Sequence, residues 1–120
     1  MKYEFVPSGI KTIYENERLM KKKYGQNISN GMIMFLQAIE AAENAYDIMS
    51  TPFFFMEHLK NNLKAYYSIS LDKKKSKWRL ILQMLDESGN VVFPTENEKQ
   101  FLKSIKNIRI KELSDHYGEY

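Results

Sequence analysis

Ala65-Tyr66-Tyr67-Ser68-Ile69-Ser70-Leu71 and Trp78-Arg79-Leu80-Ile81-Leu82-Gln83-Met84-Leu85 flank the connection Asp72-Lys73-Lys74-Lys75-Ser76-Lys77. Aromatic and branched side chains dominate both flanks, and such side chains suit a pleated, half-buried surface. The lysine-rich stretch between them has no place in a core. The whole stretch predicts a β-hairpin with strands over 65–71 and 78–85.

Downstream, Asp86-Glu87-Ser88-Gly89-Asn90 is turn chemistry, followed by a brief extension through Val91-Val92-Phe93 up to Pro94. Thr95-Glu96-Asn97-Glu98 fits a capping box in which Thr95 and Glu98 satisfy each other's backbone, opening a short helix through Phe101, Leu102 and Ile105. Residues 107–113 then predict a last strand, with Ile108 and Ile110 on one face and Arg109 and Lys111 on the other. Upstream, a helix begins near Ser29-Asn30, carries Met32, Leu36, Ile39, Ala42 and Tyr46 on one stripe, and ends before Pro52. An earlier helix, capped by Ser8 and closed by Gly25, places Ile10, Ile13, Tyr14, Met20 and Tyr24 on one face. The short link between the two predicts an antiparallel helical hairpin, and Phe53-Phe54-Phe55-Met56 is apolar enough to seat it on the sheet. Tyr3-Glu4-Phe5-Val6 alternates as a strand that Pro7 stops. The order is strand, two helices, strands, short helix, strand: one α+β domain over residues 1–120.

The composition narrows the function classes. Cysteine is absent, which excludes disulfides and thiolate zinc sites, and no motif supports a P-loop, zinc-site or Ser-His-Asp enzyme. The longest apolar candidate, 31–49, is interrupted by Glu40, Glu43 and Asp47, and the first residues lack a secretory signal, so a cytoplasmic protein without a membrane span is expected. The net charge of +3 is modest, but Lys73, Lys74, Lys75 and Lys77 concentrate it in the hairpin connection. Lys103, Lys106, Arg109 and Lys111 form a second basic stripe; two such stripes brought together by folding attract a polyanion.

Three stretches together resemble the HigB branch of the RelE/ParE toxin superfamily. Met56-Glu57-His58-Leu59-Lys60-Asn61 is similar to the family's Leu-His-Pro-Leu-Lys-Gly, with Glu57 at the histidine position and His58 at the proline position. Ala65-Tyr66-Tyr67-Ser68-Ile69 and Trp78-Arg79-Leu80-Ile81 are similar to its Gly-Tyr-Tyr-Ser-Ile and Trp-Arg-Ile-x-Phe strands. Ile108-Arg109-Ile110-Lys111-Glu112-Leu113-Ser114-Asp115-His116-Tyr117 is similar to its closing strand, although the tail reads Asp-His-Tyr where the family has Asp-Tyr-His. The resemblance implies a RelE-like fold, an antiparallel sheet packed against an amino-terminal helical hairpin.

It also implies a type II toxin that cleaves messenger RNA on the ribosome, attacking a phosphate with the neighbouring ribose 2′-hydroxyl. Such a reaction needs a base for the hydroxyl, cations for the developing phosphorane charge, and an acid for the departing 5′ oxygen. Lys60 and Arg79 match the family's phosphate-facing cations, and an arginine can hold a phosphate by two parallel bonds. His116 is the natural proton-transfer group, since an imidazole ordinarily titrates at about pH 6.5. Asp115 can accept a proton or orient His116, and Tyr117 can stack on a base. His58, Lys64, Lys73, Lys74, Lys75, Lys77, Arg109 and Lys111 are the expected RNA contacts. The implied partners are a cognate antitoxin of helix-turn-helix type, the ribosome and its mRNA, and operator DNA only through the antitoxin complex. No cofactor is expected. A ParE-like gyrase inhibitor on the same fold, or a non-catalytic RNA-binding module, are the alternatives. Strict alternation from Ile108 sends Asp115 and Tyr117 to the Arg109 face and His116 to the core side, unless the strand has frayed by Ser114.

Overall fold

A computed structural model describes residues 1–6, 9–60 and 63–116. The chain runs β1 (Lys2–Phe5), α1 (Gly9–Glu15), α2 (Glu17–Tyr24), α3 (Gln26–Ala41), α4 (Ala45–Met49), a 3-10 turn (Pro52–Phe54), β2 (Glu57–His58), β3 (Tyr67–Ile69), β4 (Arg79–Leu85), α5 (Glu98–Ser104) and β5 (Asn107–Ser114). The strands form one five-stranded sheet in the order β1-β5-β4-β3-β2. The hairpin read from the sequence is β3 and β4; β3 is two residues shorter at each end than 65–71, while β4 starts one residue later than 78 and ends at Leu85 as expected. The expected antiparallel sheet is in fact mixed. β1 lies parallel to β5, and a parallel pair needs a long crossover, here most of the chain.

β4 sits in the middle of the sheet and is apolar on both faces. Leu80, Leu82 and Met84 join Ile108 and Ile110 of β5 in a cluster shared with Met20, Met32, Phe35 and Ile39 of the helices. Ile81 and Leu85 are buried on the opposite face. Gly31 of α3 lies close against the backbone at Leu71. A Cβ there would lie 2.7 Å from the Leu71 carbonyl carbon and 2.8 Å from its Cβ, and closer still to its carbonyl oxygen. The Phe35 and Phe54 rings meet edge to face at 5.3 Å, while Phe55 takes a left-handed backbone (φ 48°) and is exposed.

The helices are more broken than their apolar stripes predict, and asparagines cause the breaks. Asn16 ends α1 and caps α2, its side chain accepting from the Leu19 N–H at 3.2 Å. Asn44 likewise opens α4 by accepting from Tyr46 N–H at 3.0 Å, so Tyr46 stands on a different helix from Met32. An oxygen that satisfies an orphan amide of the first turn makes a new start as favourable as continuation. Gly25 ends α2 as expected (φ 92°), but α3 starts immediately after it and not at Ser29-Asn30. The capping box also shifts: Asn97, not Thr95, accepts from Gln100 N–H at 3.1 Å. Pro7, the Ser8 cap and the Ile13 side chain lie outside the described residues. Among the described residues, no helix is long and apolar enough to cross a membrane.

Tyr67 is buried, and its hydroxyl has no hydrogen-bond partner among the described residues. Burial, and secondarily the charge of Glu98, push its pKa well above the usual phenol value. Two stability outcomes are expected in denaturant melts. Gly31→Ala should cost about 3 kcal/mol, because the new methyl meets backbone that cannot yield. Tyr67→Phe should leave stability unchanged or raise it by about 1 kcal/mol, since it removes an unpaired buried hydroxyl; a loss instead would mean the hydroxyl is satisfied.

Candidate active site

β4 and β5 pair along their length with one irregular step. Ile81 faces Glu112 while Leu82 faces Ile110, leaving Lys111 as an extra residue on β5. A bulge of this kind reverses side-chain parity beyond it. Before it, Ile108 and Ile110 enter the core; after it, Leu113 is buried opposite Leu80 and Ser114 lies opposite Arg79. The alternation that sends His116 to the core side is therefore overturned. β5 stops at Ser114, whose hydroxyl accepts the His116 N–H at 3.0 Å, and the imidazole is 73% exposed. His116 Nε2 lies 3.0 Å from Asp115 Oδ1.

The sheet face away from the helices gathers much of the predicted chemistry. Arg79 Nη1 donates to the carbonyls of Ser76 and Trp78, each at 2.8 Å, which orients the guanidinium at the start of β4. Lys111 Nζ is 3.4 Å from the Tyr66 hydroxyl and 4.6 Å over its ring. Leu59 N–H donates to the Tyr66 carbonyl at 3.0 Å, and the next residue, Lys60, is exposed. Arg109 lies farther along that face, with Nε 3.6 Å from Glu4 and Nη2 donating to Gly89 O at 3.3 Å. Glu112, half-buried opposite Ile81, is a carboxylate on this face to which the sequence pattern assigned no role.

Other predicted residues lie elsewhere. His58 pairs in register with Tyr67 and stacks on it, ring centroids 4.7 Å apart, on the helix-covered side of the sheet. Its Nε2 bonds the Lys64 carbonyl at 2.7 Å and its Nδ1 lies 3.7 Å from Glu98, so it ties β2 to the next loop and to α5. The Lys64 side chain is exposed beside it. Lys73, Lys74, Lys75 and Lys77 are exposed in the hairpin connection. That connection is ordered by Ser70, whose hydroxyl accepts from Lys74 N–H at 2.7 Å and from Asp72 N–H at 3.3 Å. Lys74 Nζ lies 3.2 Å from Glu57. Tyr117 lies outside the described residues. Among the described residues, no three histidines or acids gather as metal ligands would. The face away from the helices thus offers fixed cations for a phosphate, and an exposed imidazole–carboxylate pair for proton transfer.

Residues 3–95 match the family model HigB-like toxin, described as the RelE-like toxin of the type II toxin-antitoxin system HigB. Toxin HigB-1 of Vibrio cholerae serotype O1 is 30% identical over 86 residues, covering 72% of this chain and 86% of that protein. No solved structure matches significantly. Lys60, the hairpin lysines and Arg79 fall inside the family match; Asp115 and His116 fall beyond it.

The geometry separates two substitutions in a thermal melt. His116→Ala should leave stability within about 0.5 kcal/mol, since it alters an exposed side chain. Arg79→Ala should cost about 1–2 kcal/mol through its two bonds to the hairpin carbonyls. Equal losses from both would contradict this placement.

Proposed function

Because the chain belongs to the HigB-like family of RelE-type toxins from type II toxin-antitoxin systems, we propose that it is a ribosome-dependent mRNA endoribonuclease held in check by a cognate antitoxin. One observation carries the nuclease reading: Arg79 stands in register with Ser114, so the strand end bearing Asp115 and His116 emerges beside a fixed guanidinium. In this reading the ribose 2′-hydroxyl loses its proton to a base and attacks the adjacent phosphorus. The P–O5′ bond breaks, an acid protonates the leaving oxygen, and a 2′,3′-cyclic phosphate and a free 5′-hydroxyl result. Arg79, assisted by Lys60 and Lys111, stabilises the phosphorane. Asp115 and His116 handle the protons, and Tyr117 stacks on a base.

The hairpin lysines, with Lys64, Arg109 and His58, serve as backbone contacts to RNA in the same reading. His58 does so through the loop it holds. The fold is a RelE-like single domain over 1–120 with its amino-terminal helices seated on the sheet; the Gly31–Leu71 approach and the Phe35–Phe54 contact support that seating. The antitoxin is of helix-turn-helix type, and operator DNA is reached only through the complex, in the cytoplasm.

Inducing the chain without its antitoxin should arrest growth and break mRNA within translated codons, and His116→Ala should slow cleavage by about 10²-fold or more. Primer extension on cellular mRNA reads both. Intact mRNA alongside failed DNA supercoiling would move the chain to the gyrase-inhibitor branch. Full cleavage by a His116→Ala, Arg79→Ala double variant would remove this site.

A further inference from the structure

Charge is distributed far more unevenly than the net value of +3 suggests. Residues 18–39 and 58–85 together hold eleven of the chain's 18 lysines and arginines but one of its 15 acids, Asp72. That acid is buried and bonded to the Ser70 hydroxyl at 3.2 Å, so it screens little at the surface. The fold joins the two segments. Tyr24, the last residue of α2, packs edge-on against Trp78 at 4.8 Å, the residue between Lys77 and Arg79. A groove of about 280 Å³ runs between Tyr24 and Asn27 on one wall and Lys75 and Ser76 on the other. Arg18 and Lys22, one helical turn apart, and Lys23 are exposed on α2, while Lys21 is taken up by Glu17 at 2.9 Å.

We propose that α2 and the lysine connection form one platform that binds the backbone of double-helical RNA, with Arg18, Lys22 and Lys23 on one side and Lys75 and Lys77 on the other. It rests on the ribosome-directed reading above and extends the RNA contact to a helix that reading did not include. The choice of duplex follows from the aromatic rings. Single-strand binders offer open rings for bases to stack on. Here Tyr24 and Trp78 cover each other, Lys73 Nζ lies 5.1 Å over Phe53, and Lys74 Nζ lies 4.9 Å over Phe55. Beside the exposed Leu19 and Phe55, the outward groups are chiefly point charges, which suits recognition of phosphates by shape without sequence. Lys73 and Lys74 also hold left-handed backbones (φ 55° and 63°), where glycine fits with less strain and brings no charge.

The test is anisotropy titration of a labelled 16-base-pair RNA duplex, and sedimentation with purified 70S ribosomes, across a salt series. Lys22→Gln/Lys23→Gln and Lys75→Gln/Lys77→Gln should each lower the slope of log affinity against log salt by about 1.5–2, matching two lost phosphate contacts. Both variants should melt like wild type. Loss of affinity from the connection pair alone, with the α2 pair binding like wild type, overturns the platform. Tighter binding of a single strand of equal length overturns the duplex assignment. A wild-type chain that binds duplex and ribosome but cuts no mRNA defeats the nuclease reading and leaves this surface standing, so the two failures are distinguishable.

Discussion

The pairing of β4 with β5, and the one residue inserted into it at Lys111, constrains everything near the candidate site. β4 is central and apolar on both faces, so its register cannot slip without carrying Leu80, Leu82 and Met84 out of the helix-facing core. β5 must satisfy β4 on one edge and β1 on the other, and it begins with Ile108 and Ile110 inward. Continued regularly, it would drive Glu112 into the core and Leu113 out of it. Burying a carboxylate without a partner is far costlier than one interrupted ladder step. The bulge resolves the conflict by placing Leu113 opposite Leu80, and as a consequence Ser114 comes opposite Arg79. The juxtaposition of guanidinium and strand end is thus a by-product of keeping a glutamate out of the core.

Several elements were legible because local chemistry agreed with the tertiary outcome. The β3–β4 hairpin, the Asp86 turn, the Gly25 stop and the apolar positions of α5 all fall where pattern and turn residues place them. The divided helices share one physical cause. Apolar periodicity marks which residues face the core, and a helix broken at a capping asparagine can keep the same residues buried on both sides of the break. Asn16 and Asn44 therefore left the stripe intact while dividing the helices. The parallel placement of β1 was invisible for a different reason: a four-residue strand carries no information about the direction of a neighbour more than 100 residues away.

The site was legible in its residue types more than in its geometry. Arg79 and Lys111 lie on the sheet face away from the helices, Lys111 over the Tyr66 ring, whereas His58 is stacked on Tyr67 on the other side. That separation follows from register alone, since His58 pairs with Tyr67 and Tyr67 with Leu82, whose side chain is in the core. The bulge did leave a trace in the sequence. Lys111-Glu112-Leu113 breaks the polar–apolar alternation of Ile108-Arg109-Ile110, and a charged residue in core phase followed by leucine in polar phase marks an inserted residue. That insertion places Glu112 opposite Ile81, on the Arg79 face.

Electrostatics extends the same logic from one strand to the whole surface. A chain of net charge +3 does not need strong focusing to stay soluble, yet its cations and acids are segregated in sequence and the fold draws the basic segments together through Tyr24 and Trp78. Clustering like charges costs folding free energy through mutual repulsion, and an extended polyanion offsets that cost when it binds. Aromatic rings within the patch lie under lysines or against each other, so they help to stabilise the cluster. A surface built this way holds a structured backbone in a fixed orientation. In the proposed nuclease reading, the sheet face with Arg79 and the Asp115–His116 pair then meets whichever mRNA phosphate that orientation presents.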